Sequence, residues 1–260
     1  MFINSMSESK SNTFEQCRLK YKYYYVDKLE KQGEKQPHLD FGSYIHEIFE
    51  LGYEKDTLAD LLIIANDIKK SYRITEGYEK KVETCLRNFL RFNASLGETI
   101  GAEWAYEVVY DSEKDIKFNG IIDRIIRSKD GKEFLIIDYK TGRRELKKHD
   151  LFQNTQLQGY AYAVHKLMEV PIENITVAHY YPMSGNFVSV KYSWPQIGSY
   201  LKKKLTTFWN IRKAKKDDMC PSQNQFCDWC DYKDICPIFN NQSKINESKE
   251  SMYSVRKRRS

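Results

Sequence analysis

No run of this sequence approaches the ~20 consecutive apolar residues that a membrane-spanning helix requires. Its first ten residues, MFINSMSESK, hold no long apolar stretch either. Neither membrane insertion nor secretion is expected, and a cytoplasmic setting follows. The chain also lacks the pattern G-x-x-x-x-G-K-[ST], whose backbone cradles nucleotide phosphates, so it carries no motor of that type. It has no internal repeat. Nor does one sign of charge dominate: 42 basic residues stand against 36 acidic ones, a net charge of +6 over 260 residues. Distribution therefore says more than the total. Lys202, Lys203, Lys204, Arg212, Lys213, Lys215 and Lys216 crowd one segment, Arg143, Arg144, Lys147 and Lys148 another, and RKRRS closes the sequence. Such clusters suit a polyanion such as nucleic acid, although each alone also reads as a solvated face.

What is present is a globular composition: 41% hydrophobic, 14% aromatic and 30% charged, with mean hydropathy −0.68. One compact unit over residues 1–240 is expected, followed by a polar, disordered tail at 241–260. A helix is expected from Ser7, a plausible N-cap, with Phe14, Cys17 and Tyr21 on one face. Residues 31–40 read as a polar loop, and Gly42-Ser43 as the opening of a second helix. Apolar residues recur at helical spacing from about 57 to 97, which makes a helical sub-domain within about 50–100. After Glu103 the period changes. The segments WAYEVVYD, IKFNGIIDRIIRS, KEFLIIDYKTG, ITVAHYYP and FVSVKYSW are rich in β-branched and aromatic residues, with helices between them. This interleaving predicts an α/β fold with a central mixed β-sheet flanked by helices, its catalytic core at about 103–215.

Asp130-Gly131, between two apolar runs, signals a hairpin turn. With those two residues as the loop, opposed residues have numbers summing to 261, which sets Asp123 against Asp138; a four-residue loop keeps the same register. Like charges so placed destabilise a sheet unless a cation lies between them. Two carboxylates with water and a phosphate is the usual way Mg2+ is held. Lys140, two residues beyond Asp138, projects to the same face, where it would orient water or neutralise charge developing on phosphorus. Glu107, on the preceding strand, is a weaker acidic candidate.

The motifs GSYIHEIFE, GIIDRI, IIDYKTG and QLQGY, in that order, resemble the RecB-type branch of the PD-(D/E)XK nuclease superfamily over most of residues 7–238. The resemblance implies a restriction-endonuclease-like core with Asp123 and Asp138 as metal ligands and Lys140 as the catalytic lysine. It further implies His46 and the backbone carbonyl of Tyr139 as metal contacts, and Gln156 and Tyr160 as a Q-h-x-x-Y motif beside the site. Asp stands at 138 where many relatives have Glu. His46 alone reads as a helix-surface residue, but Ile45, Ile48 and Phe49 mark the apolar face and leave His46 and Glu50 free to point at a site. An imidazole among carboxylates makes Mn2+ as suitable as Mg2+.

Six cysteines remain to be placed. Cys227, Cys230 and Cys236 form C-x2-C-x5-C, and a reducing compartment disfavours disulfides. SESKSNTFEQC near the N-terminus resembles the opening of iron-sulfur nucleases of this branch, of the AddB type and a CRISPR-adaptation type, although those commonly place proline after the cysteine where this chain has Arg18. The resemblance makes Cys17 the fourth ligand of a 4Fe-4S cluster clasping both ends of the chain. A structural Zn2+ on the same thiolates fits the spacing equally, and Cys220 is an alternative to Cys17. Cys85, on an apolar helical face, reads as a core residue.

The expectation is a divalent-metal-dependent DNA exonuclease that digests from a free or single-stranded end. It would serve recombination, repair or phage DNA processing, alone or with a separate helicase or recombination partner. A structure-specific endonuclease and a non-catalytic DNA-binding or adaptor subunit are the alternatives.

Overall fold

Local capping chemistry decides where the helices of this protein begin. The computed structural model describes residues 3–31, 37–111 and 113–240; the expected disordered tail lies outside them. The chain forms two compact units, one made of its two end portions, through residue 34 and from residue 204, and the other of the contiguous stretch 35–203.

In the first unit, β1 (Ser5–Ser7) leads into α1 (Glu8–Gln16), and the Ser7 hydroxyl accepts a hydrogen bond from Lys10 N at 3.2 Å. The single long helix expected here is interrupted at Cys17. Its backbone is extended (φ −160°, ψ 114°), and its sulfur accepts from Lys20 N at 3.5 Å to open α2 (Arg18–Tyr21), which runs into a π-type turn at Lys22–Val26. Cys17 is thus an N-cap. The following position, Arg18, is the first of a helix.

Three cations of the basic segment, Lys204, Arg212 and Lys216, are engaged within the first unit, while Lys213 and Lys215 are exposed. Lys204 is 2% exposed, pairs with Glu8 at 2.8 Å and donates to Ser11 Oγ at 2.9 Å. Arg212 donates to the Ile3 carbonyl at 2.8 Å, and Lys216 pairs with Asp27 at 2.6 Å.

In the second unit, α3 (Pro37–Gly52) starts five residues earlier than expected. Proline's fixed φ and missing N–H suit a first helical turn, so Pro37 begins the helix and Gly42 lies inside it. A Cβ on Gly42 would meet Thr141 Oγ1 at 3.1 Å, which shows how closely α3 approaches the strand end that follows Tyr139. With α4 (Leu58–Ile68) and α5 (Glu76–Asn93), α3 packs Ile45, Phe49, Leu61, Cys85 and Phe89 against Ile126, Ile137, Tyr139 and Tyr180 of the sheet. Phe49 and Phe89 stack with centroids 4.0 Å apart. Cys85 is fully buried among them.

The strands of this unit are β2 (Glu98–Asp111), β3 (Ile116–Arg127), β4 (Phe134–Tyr139), β5 (Ile175–Tyr181) and β6 (Asn186–Lys191), ordered β2-β3-β4-β5-β6. All neighbours are antiparallel except β4 and β5, so the sheet is mixed. The parallel pair is joined through α6 (Lys148–Leu151) and α7 (Thr155–Met168). Asn154 caps α7 by accepting from Leu157 N at 3.0 Å, and the helix packs on β2, β4 and β5. α8 (Trp194–Lys213) follows β6. The result is a mixed sheet flanked by helices, as the interleaved pattern predicts. The β3–β4 register is also the one expected: Arg124 pairs with Ile137 and Arg127 with Phe134. The connection, however, occupies residues 128–133. Gly131 takes the turn's left-handed position (φ +73°), and Ser128 N donates to Glu133 O at 2.9 Å, so the longer even-numbered loop leaves the register unchanged.

Candidate active site

Three of the four ladders of the second unit bring polar residues into one line across the sheet. Ala102 pairs with Arg124 and Trp104 with Ile122, which sets Glu103 opposite Asp123. The β3–β4 ladder ends at the Arg124–Ile137 pair, and continuing its register by one residue puts Asp123 opposite Asp138, which in turn pairs with His179 of β5. Strands bury such a row only for a reason, because neighbouring carboxylates repel. Glu103 shows a further local cost: its φ is +42°, a left-handed backbone in a residue with a long side chain. Such strain, ~1–3 kcal/mol, gathers at functional positions.

Each member is held by specific contacts. Asp123 Oδ2 accepts from Tyr139 N at 2.7 Å. Burial pushes the Asp123 carboxyl up to about 7; His46 opposes that rise, and the Asp138 charge adds to it. His46 turns away from the apolar face that Ile45, Ile48 and Phe49 bury. Its Nε2 lies 2.9 Å from the Tyr139 carbonyl, which can only accept, so Nε2 carries the hydrogen. That leaves Nδ1 3.5 Å from Asp123 Oδ2 and 3.9 Å from Glu103 Oε1. Burial lowers the His46 pKa, but the Glu103 hydrogen bond and the charges of Asp123, Asp138 and Glu103 prevail and hold it above its ordinary value. A proton on Nδ1 therefore sits where the acidic groups call for a cation.

One ligand atom each from His46, Glu103 and Asp123 lies within 4.8 Å of the others. One imidazole nitrogen and two carboxylates form a donor set suited to Mg2+ or Mn2+. Asp138 is 2% exposed; its Oδ2 is 2.5 Å from Lys140 Nζ and 3.4 Å from His179 Nε2. Lys140 also donates to Gln156 Oε1 at 3.3 Å, and Gln156 Nε2 donates to the Tyr160 hydroxyl at 2.8 Å. Burial, then the Asp138 and Asp123 charges, push the Tyr160 hydroxyl upward, so it stays protonated. Burial lowers the His179 pKa and keeps that imidazole neutral, with Nδ1 3.2 Å from the Tyr181 hydroxyl.

Asp123, Asp138, Lys140, Gln156, Tyr160, His46 and the Tyr139 carbonyl are therefore brought together. The Tyr139 carbonyl is engaged by His46, and Asp138 by Lys140. Glu107 is not part of the group: it lies opposite Asn119 and pairs with Lys117 at 2.9 Å. Glu103 and His179 were not singled out by sequence reasoning. Glu103 hides behind a bulged hairpin whose register shifts twice. His179 is aligned by a parallel crossover, for which no loop arithmetic exists.

In the first unit, Cys17, Cys227, Cys230 and Cys236 line one pocket together with Lys20 and Lys233. Cys220 lies elsewhere, beside Phe14, Arg18 and Asp218. Burial raises the Cys230 thiol pKa, with Lys20 opposing and Cys17 adding to the rise. Among the described residues no three of these sulfurs lie within 4.8 Å of one another.

Comparison with known proteins adds to this geometry. The family model described as PD-(D/E)XK nuclease superfamily matches residues 5–237. No curated protein matches the sequence. Among solved structures, that of a presumed exonuclease from Eubacterium rectale is similar, with a TM-score of 0.55 and 16% identity over 87% of each chain. The structure of SSO0001 covers 92% of this chain and 88% of its own at 16% identity, with a TM-score of 0.43. At these identities the first likeness speaks to the fold alone.

Proposed function

Because the chain belongs to the PD-(D/E)XK nuclease superfamily, we propose that this nuclease is a divalent-metal-dependent DNA exonuclease of the RecB-type branch. The observation that carries the reading is the row Glu103–Asp123–Asp138 with Lys140 on the same face. His46 Nδ1, Glu103 and Asp123 would hold a Mg2+ or Mn2+ ion with Asp138 beside them, and such an ion supplies Lewis-acid charge and an acidified water. The chain's own residues do the remaining work. Asp138 and Gln156 fix the Lys140 ammonium in place to meet negative charge developing on phosphorus. Tyr160, protonated, holds Gln156 in orientation. The His46 Nε2–H bond to Tyr139 fixes the tautomer that leaves Nδ1 able to ligate.

Digestion from an end is supported by the surroundings of the row. A cleft lined by His46, Glu47, Glu50, Tyr72 and Glu103 adjoins it. Burial, then the Glu103 and Glu47 charges, push the Glu50 carboxyl up, a sign of crowded negative charge. A continuous strand crossing the row would lay phosphates along that acidic cleft, whereas a strand end stops short of it. End-labelled linear DNA and covalently closed circles, each incubated with Mn2+ or Mg2+, test the reading. Loss of label with circles spared is expected; fragmentation of closed single-stranded circles would overturn it in favour of an endonuclease.

We also infer that Cys17, Cys227, Cys230 and Cys236 bind a 4Fe-4S cluster that ties together the two chain ends of the first unit. A structural Zn2+ held by the same four thiolates is the alternative. Iron and zinc analysis of anaerobically purified protein decides: about four irons per chain are expected, and stoichiometric zinc without iron refutes the cluster. A separate helicase or recombination partner would supply the unwound DNA.

A further inference from the structure

A second groove shares Gly42 with the acidic cleft, and its lining includes Thr141, whose Oγ1 a Cβ on Gly42 would meet at 3.1 Å. The groove is lined by His38, Leu39, Tyr78, Lys81, Arg143 and Met183, together with Thr141 and Gly142, which directly follow Lys140. Its chemistry is the reverse of the cleft's. Arg143 is exposed and has no carboxylate partner among the described residues, and neither has Lys81, whose Nζ lies 4.7 Å over the Tyr78 ring. The one carboxylate of the lining, Glu145, is engaged by Ser184 Oγ at 2.6 Å and Asn186 Nδ2 at 2.7 Å. Tyr78 is half-buried against Phe41, their centroids 4.7 Å apart, and Leu39 is 52% exposed.

Resting on the nuclease reading above, we propose that this groove binds the unpaired bases of a single DNA strand, with Tyr78 as the stacking platform and Arg143 as the phosphate contact, and so feeds the strand to Lys140. Duplex bases already stack on one another and show only their edges, so a partly exposed ring with apolar neighbours gains nothing from them; splayed bases cover it. The two cations of the lining, Lys81 and Arg143, match the phosphates of such a strand. The opposed charges of groove and cleft orient it, with the bound body of the strand on the Arg143 side and its end at the catalytic row.

The test is fluorescence anisotropy of a labelled oligothymidylate with the full-length protein in EDTA, where binding is read without cleavage. Tyr78→Leu is expected to weaken binding about tenfold, in keeping with the loss of one base–aromatic stack, while Tyr78→Phe stays close to wild type. Arg143→Ala, at a surface residue that makes no described contact and so does not threaten folding, is expected to weaken binding and to flatten the logarithmic salt dependence by about 0.7. Blunt duplex affinity should not change in either variant. Unaltered single-strand affinity in both Tyr78→Leu and Arg143→Ala, an equal loss on duplex, or no single-strand binding by the wild type would overturn the proposal. The nuclease reading stands or falls separately, on whether wild-type protein with Mn2+ releases the end label.

Discussion

Replacing Asp123 with asparagine should make the metal-free protein more stable while removing its nuclease activity. The substitution keeps an oxygen to accept the Tyr139 N–H bond, 2.7 Å long in the native protein, so no buried backbone donor is orphaned. What it removes is a charge. A carboxyl with a pKa of about 7 in the fold and 3.8 otherwise carries a penalty of roughly 4 kcal/mol once fully ionised. Below pH ~4 the group is protonated in both states and costs nothing. Between pH ~4 and ~7 the unfolded chain ionises while the folded one does not, so the wild type loses stability as pH rises, and the full penalty stands above pH ~7. His46 loses a partner in the variant, which trims the gain. At pH 8 in EDTA we expect Asp123→Asn to be roughly 2–4 kcal/mol more stable, a rise in Tm of roughly 5–15 °C for a chain of this size. The gain should disappear near pH 4. Adding Mn2+ should raise the Tm of the wild type and leave the variant unmoved, and binding should release a proton from His46. Differential scanning calorimetry across pH 4–8, with and without Mn2+, measures the stability changes, and binding titrations in buffers of different ionisation enthalpy read the proton release. A variant less stable than wild type at pH 8 in EDTA, or one whose gain persists at pH 4, would refute the electrostatic argument.

Lys140→Ala should reduce end-label release about a hundred- to a thousandfold at saturating Mn2+ while leaving the circular dichroism spectrum native, since the group acts on charge that develops only during reaction. Cys230→Ala should bleach anaerobic preparations and lower their iron content, whereas Cys220→Ala, outside the cysteine pocket, should do neither. Phe89→Ala removes a fully buried ring stacked on Phe49 and should cost ~3–5 kcal/mol in urea unfolding.

How much of this was legible beforehand depended on the type of connection. A hairpin with an even-numbered loop carries its register in the residue numbers, so Asp123 and Asp138 could be set face to face from the sequence even though the loop is six residues and not two. Gln156 and Tyr160 were named by the resemblance of QLQGY to a Q-h-x-x-Y motif, and α7 brings Gln156 to Lys140 and Tyr160 to Gln156. Glu103 was hidden because β2 shifts register twice against β3 and because a left-handed backbone, which re-aims the side chain, leaves no mark in composition. His179 was hidden because a parallel pair is aligned by how the crossover packs. The helix break at Cys17 was missed for a third reason: a thiol is not among the usual capping groups, and apolar periodicity continues across it.

The way the chain is divided sets an order of events during synthesis. The unit carrying the catalytic row is one uninterrupted segment, residues 35–203, and emerges whole from the ribosome before its neighbour can be completed. The other unit must wait. Ser11 meets Lys204 across a separation of 193 residues, and Asn224 reaches the Gln16 carbonyl across 208. Residues 3–31 therefore spend most of translation without their partners, exposing Phe14 and Tyr21 that the finished protein buries. Once residue 203 has left the ribosome, and for as long as residues 227–236 have not, a complete 35–203 segment is joined to a cysteine pocket still lacking three of its four thiols, so the two units mature at different times in the life of one molecule.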